Sequence, residues 1–225
     1  MKKEETIEEV EIINISLEDI TRDHCDSDEE WWFTCYLREM KEHGLIEDAD
    51  KNLTELELLE REITHLTTRF MKTKQKPELQ HLMGKYVYTP DFNIKWNREW
   101  RNVMYSMLNR GKQFTKDKPP FISFSAMFDG SIIEVKGSYT KSGQMYSTNL
   151  KRAWLYDKRQ IFVQLIKIPD LFNKTFTPKE YMEANVYKIG TKKGESKLKY
   201  KNVITIEEYI EKMKKIKEKA DVLPA

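Results

Sequence analysis

The sequence predicts an α/β protein in which helices flank a mixed β-sheet. Three observations predict it. A capped amphipathic helix comes early, extended apolar segments with turn signals fill the middle, and a further helix precedes the β-rich run Gln160–Ile166. Helical additions complete the chain.

The elements follow in order. Residues 1–22 carry Val10, Ile12, Ile13 and Ile15 in an alternation that fits a short strand or arm. Ser27 as N-cap, with Glu30 three residues on, fits a capping box. Trp32, Phe33, Tyr36, Leu37 and Met40 then form a helical stripe that Gly44 ends. Residues 53–70 mix helical spacing with strand composition, and a strand is expected over the second half. Lys72 to Lys85, with Pro77 inside, reads as a basic irregular connection. Tyr86 to Trp96 reads as one buried strand, and a short helix is expected from Trp100 to Leu108. Phe121–Phe128 and Ser131–Lys136 read as strands joined by a hairpin turn at Asp129-Gly130, and Gly137–Gln144 as a loop. Ser147–Asp157 is expected to be helical, with Leu150, Trp154 and Leu155 inward. Thr177-Pro178-Lys179-Glu180 and Thr205-Ile206-Glu207-Glu208 each have the form of a helix start.

Composition narrows the function classes. A chain of 225 residues, 39% hydrophobic and 34% charged, supports one core and a small appendage. No apolar run approaches the roughly 18 residues a membrane helix needs, and the N-terminal residues lack a signal-peptide core. Cys25 and Cys35 match no disulfide framework or zinc spacing, so a reduced cytoplasmic setting is expected. His24, His43, His65 and His81 are scattered, and no glycine-rich phosphate loop occurs. The net charge of +2 conceals an acidic N-terminal quarter and lysine clusters at Lys72, Lys74 and Lys76 and again between Lys192 and Lys201. Such clusters suit phosphate or a solvated face.

The chemistry concentrates in Tyr88-Thr89-Pro90-Asp91-Phe92 and Ile133-Glu134-Val135-Lys136-Gly137. Both read as extended segments with charges where apolar residues belong, and Glu134 and Lys136, two apart, share one face of a strand. Burying such groups is costly unless something binds them, and a divalent cation held by hard oxygens would offset that cost. Asp91 and Glu134 would supply carboxylates and Val135 its carbonyl. Lys136 would orient a water or stabilise developing negative charge.

The order of elements, with T-P-D-F on one strand and E-V-K-G on a later one, resembles the PD-(D/E)XK nuclease superfamily over residues 27–168. The resemblance is strongest to phage-type endonucleases, among whose wider relatives are Holliday-junction resolvases. It implies a restriction-endonuclease-like sheet, Mg²⁺-dependent hydrolysis of DNA phosphodiesters with Mn²⁺ as a substitute, and a catalytic set of Asp91, Glu134 and Lys136. Many such nucleases carry a further glutamate on the first helix. Glu30 is the candidate, with Glu29 as substitute, and its reading as a helix cap stands beside this one.

The resemblance organises the chain as an N-terminal arm (1–26), a nuclease core (27–168) with an insertion at 97–120, and a helical extension (169–225) packed on the core. Lys141, Lys151 and Arg152 are candidates for DNA phosphates, and Trp100 and Arg101 for exposed bases. Duplex or branched DNA is the expected partner. A resolvase would be a homodimer, no membrane is expected, and the last helix could dock a partner protein. Two other readings stay open: a non-catalytic DNA-binding or scaffold protein on the same fold, and a transposition-type end-processing nuclease acting with a partner.

Overall fold

The computed structural model describes residues 14–59, 63–70, 72, 74–107, 119–123, 129–137, 142–184 and 204–221, with backbone alone for 142 and 216–221. In chain order, β1 (Asn14–Ser16) leads to α1 (Asp28–Glu42) and β2 (Ile46–Asn52). An excursion then carries β3 (Leu56–Leu59), β4 (Ile63–Phe70), β5 (Gln75–Met83) and β6 (Tyr86–Tyr88). The chain returns through β7 (Phe92–Trp96), passes β8 (Tyr105–Met107) and β9 (Phe121–Ser123), and reaches β10 (Gly130–Lys136), α2 (Ser142–Arg159) and β11 (Val163–Lys167). Helices α3 (Ile168–Lys174), α4 (Lys179–Ala184) and α5 (Ile206–Asp221) follow.

The fold is mixed α/β. Its largest sheet has five strands in the order β1-β2-β7-β10-β11. The first three neighbouring pairs are antiparallel, whereas β10 and β11 run parallel. A parallel pair needs a crossover, and α2 supplies it. No helix among the described residues is long and apolar enough to cross a membrane.

Local chemistry accounts for α1. The Ser27 hydroxyl accepts from the Glu30 amide at 3.2 Å and Asp28, Glu29 and Glu30 fill the first turn, where the helix dipole favours negative charge. At the other end Gly44 takes φ +68°, and the amides of Gly44 and Leu45 reach back to the carbonyls of Lys41 and Met40. This double closure is a Schellman stop, and it needs a left-handed residue at Gly44. Phe33, Tyr36, Leu37 and Met40 are buried, as the spacing predicts, while Trp32 is half-buried.

The core lies between α1, the sheet and the C-terminal helices. Tyr36 stacks on Phe176 at 4.2 Å between ring centres, and its hydroxyl bonds Thr175 at 3.1 Å. Phe172, Tyr181, Ile206 and Tyr209 are buried in the same cluster. At the far side Trp96 donates its indole N–H to Ser131 Oγ at 2.7 Å, and Ser131 donates to the Ile122 carbonyl.

Several expectations are corrected. Tyr86–Trp96 is two strands, because Thr89-Pro90-Asp91 breaks the ladder: β6 pairs with β3, and β7 enters the large sheet. Lys72–Lys85 is largely a strand, since β5 pairs with β4 along its length and tolerates Pro77 on a two-stranded ribbon that is all edge. The helix expected over Trp100–Leu108 is replaced by a 3₁₀ turn at Arg98–Trp100 followed by β8, which pairs parallel with the distant β9. Phe121–Ser123 therefore belongs to β8, and the ladder partners of β10 are β7 and β11 rather than a hairpin mate. Residues 124–128 lie outside the described residues, as do 108–118 of the 97–120 insertion and 185–203.

The helix expected at Ser147 begins at Ser142 and runs to Arg159, and of its expected inward residues Leu155 is buried while Leu150 is 42% exposed. The capping box at Thr205 forms, with the Thr205 amide donating to Glu208 and the Glu208 amide to Thr205 Oγ1. The corresponding box at Thr177 does not. Its hydroxyl has no partner among the described residues, and the Lys179 amide is capped from across the core by Glu39 Oε1 at 2.5 Å. Burial raises the Glu39 carboxyl above its ordinary range despite that bond.

Candidate active site

Three adjacent strands bring the charged residues to one end of the sheet. Lys51 on β2 lies opposite Phe92 on β7, and Phe92 lies opposite Ile133 on β10. Directly opposed residues share a face, and Phe33 of α1 packs on Phe92 at 5.2 Å, so this is the face that α1 covers. Glu134 and Lys136 alternate with Ile133 and Val135 and point to the other face, where Tyr88 and Ile132 lie. Asp91 immediately precedes β7. Its amide donates to the Ile133 carbonyl and its carbonyl accepts from the Asn52 amide, which holds it between the two faces.

Each carboxylate is fixed by a protein donor. Asp91 Oδ2 accepts the Val135 amide at 2.6 Å. Glu134, 5% exposed, accepts the Tyr88 hydroxyl at 2.9 Å on Oε2 and pairs with Lys136 Nζ at 2.6 Å on Oε1. Glu30 pairs with Lys51 Nζ at 2.5 Å, and both side chains are less than a tenth exposed. Glu30 also accepts from the Ser27 hydroxyl and the Asp26 amide, each at 3.2 Å. The cap and the ion pair are thus functions of one side chain.

The electrostatics follow from this crowding. Burial, with the charges of Glu134 and Glu30, pushes the Asp91 carboxyl up to about 8. Burial would depress the Lys136 ammonium, but Glu134, with Asp91 and Glu30 beyond it, outweighs that and holds it above the ordinary lysine value. The Lys51 ammonium is raised by the same balance, chiefly through Glu30. Burial and the facing Glu134 carboxylate drive the Tyr88 phenol well upward, so it stays a neutral donor.

Among the described residues no group of three His, Cys, Asp or Glu side chains stands at metal-holding separation. The donors themselves suit a hard divalent cation. Asp91 and Glu134 offer carboxylate oxygens, and a cation between them would offset the burial and the repulsion that raise Asp91. A stability consequence follows. In the pH window from about 4 to about 8 the folded protein keeps a proton on Asp91 that the unfolded chain releases, so stability without divalent cations falls as pH rises through it. Asp91→Asn should remove this slope and, in a chelator at pH 8, melt roughly 5–10 °C above the parent. Equal melting temperatures there would show that Asp91 is not strained.

The remaining candidates are placed as follows. Lys151, on α2, lies over the rings of Tyr86 and Tyr88 at 5.3 and 5.7 Å. Arg152 donates Nε to the Val163 carbonyl at 2.7 Å and Nη1 to Asn149, tying α2 to β11. Trp100 packs against the core and Arg101 is exposed, both beyond the far end of β7 from Asp91, about 15 Å away along the strand. The carboxylate of Glu29 lies against Gly137, where a Cβ would clash with it. Lys141 lies outside the described residues.

Sequence reasoning missed Lys51 as a member of this cluster. Its strand, Ile-Glu-Asp-Ala-Asp-Lys-Asn, has too few apolar residues to show alternation. The available signal was a lone lysine inside an acidic run. Tyr88 lay within the recognised segment but its hydroxyl was assigned no role. Comparison with known proteins gives no match to a family model, a curated protein or a solved structure.

Proposed function

We infer that the chain is a metal-dependent DNA endonuclease with a restriction-endonuclease-like core. The observation that carries this is the meeting of Asp91 with Glu134 and Lys136 at one end of adjacent antiparallel strands, with Glu30 brought from the first helix. The succession α1, β2, β7, β10, α2, β11, with an antiparallel run and one parallel addition across a helix, supports the same reading.

Asp91 and Glu134 would hold Mg²⁺ or Mn²⁺, with the Val135 carbonyl as a further oxygen. The ion supplies charge stabilisation at the phosphate and acidifies a water. The chain's own residues do the rest. The Val135 amide and the Tyr88 hydroxyl fix the two carboxylates, which removes the reorganisation that catalysis would otherwise require. Lys136, protonated and a quarter exposed, faces the substrate side as a fixed cation for a phosphate oxygen or an attacking water. Lys151, over the Tyr88 ring, would meet the DNA backbone.

The test is a cleavage panel on linear, nicked, flapped and four-way DNA with Mg²⁺, Mn²⁺ or chelator. The full chain should cut at least one of them only with metal, and Asp91→Ala should not cut. Absence of metal-dependent cutting on every substrate overturns the reading. Paired cuts across a four-way junction by a dimeric species would identify a resolvase, because symmetric cleavage needs two sites.

A further inference from the structure

The β4–β5 ribbon is built unlike the rest of the molecule. Its two strands pair with each other from Ile63↔Met83 to Phe70↔Gln75, and almost every residue on both faces is exposed. An isolated two-stranded ribbon is marginal in water, so a ribbon of this length points to a surface that is completed by something else.

Its faces have opposite characters. Leu66 opposes Leu79, Thr68 opposes Pro77 and Phe70 opposes Gln75, and directly opposed residues share a face. Leu66, Phe70 and Leu79 are 70, 76 and 69% exposed, an apolar strip facing water. The other face is polar, with Arg69 opposite Lys76 and Thr67 opposite Glu78. At the distal end Lys72 and Lys74 are exposed.

Charge decides which ligand fits. Residues 63–83 contain Arg69, Lys72, Lys74 and Lys76 against the single acid Glu78, a net of +3, whereas the whole chain carries only +2. The ribbon is therefore a locally basic surface. A polyanion matches it, and among polyanions a double helix also matches the shape. A two-stranded ribbon fits the major groove, which is about 12 Å wide. Apolar side chains there meet thymine methyl groups while flanking lysines reach phosphates.

We propose that β4–β5 is a duplex-gripping arm that enters the major groove with its Leu66–Leu79–Phe70 face toward the bases and Lys72 and Lys74, at its distal end, on the phosphates. The ligand class agrees with the nuclease reading and rests on it, but the arm is separate from the carboxylate cluster. It would hold DNA without cutting it, so its failure and that of the nuclease reading can be told apart.

The experiment measures binding of a labelled duplex a few turns long by fluorescence anisotropy, using the full chain in chelator across a salt series. Changing Lys72 and Lys74 together to Ala should weaken binding about fivefold or more at physiological salt and reduce the slope of log affinity against log salt by about two. Leu66→Ser with Leu79→Ser should weaken binding several-fold and leave the slope unchanged, with thermal melts confirming that both variants fold. Unchanged affinity and slope in the lysine variant, or no binding of the duplex by the parent, overturns the arm. A serine variant whose sole effect is to convert a dimer to a monomer in sedimentation also overturns it and makes the strip a contact between copies. Cutting that persists with unchanged binding leaves the nuclease reading standing without the arm, and altered binding without any cutting does the reverse.

Discussion

Lys136→Ala should lower metal-dependent cleavage by about 10²–10³-fold, with duplex affinity in chelator changed only a few-fold. The expectation rests on position and protonation. Lys136 Nζ is 2.6 Å from Glu134 and a quarter exposed, and the surrounding carboxylates hold its ammonium above the ordinary lysine value. Such a group acts as a fixed cation rather than as a base, so the rate profile between pH 6 and 9 should show no limb that disappears with the lysine. Lys136→Arg should recover part of the rate, because it keeps the charge and changes the geometry. Single-turnover rates with saturating enzyme separate this chemistry from binding. A Lys136→Ala enzyme that cuts at the parental rate would remove Lys136 from the site.

Lys51→Met should destabilise the fold by about 3 kcal/mol, an effect of a different kind. The pair with Glu30 is almost wholly buried, at 2.5 Å, and the ammonium also lies over the Phe92 ring at 5.2 Å. Removing the lysine leaves the buried Glu30 carboxylate without the cation that offsets it. The double variant Lys51→Met with Glu30→Gln should recover most of the loss, because a buried pair removed together leaves no orphaned charge. Urea denaturation of the parent, both single variants and the double variant closes the cycle. A neutral Lys51→Met would mean that the pair is solvated in solution and that Glu30 is held by its cap alone.

What the sequence made legible is what local rules govern. Ser27 and Glu30 announce α1, Gly44 ends it, and Thr205 with Glu208 starts α5, because each device acts within one turn. The charged set was legible because carboxylates and a lysine within apolar strands conflict with burial. What was hidden depends on partners far along the chain. Trp100–Leu108 has helical spacing, yet Tyr105–Met107 is drawn into a parallel pair with Phe121–Ser123. Thr177 looks like a cap, but Glu39 takes that place from another helix. β5 lacks the period of a half-buried strand because neither of its faces is buried. The place of Asp91 between two sheet faces was equally hidden, since it depends on a backbone break at Thr89-Pro90.

The helix capped by Ser27 has two duties. Its first turn carries Glu30 to the charged cluster, and its middle holds Tyr36 against Phe176 and Thr175. Tyr209 of the last helix stands 5.9 Å behind Phe176, ring to ring. The aromatic column from α5 to α1 therefore works as a strut. Damage to the C-terminal helices would tilt the beam on which Glu30 is mounted, and a lesion remote from every charged residue would be felt at the carboxylates.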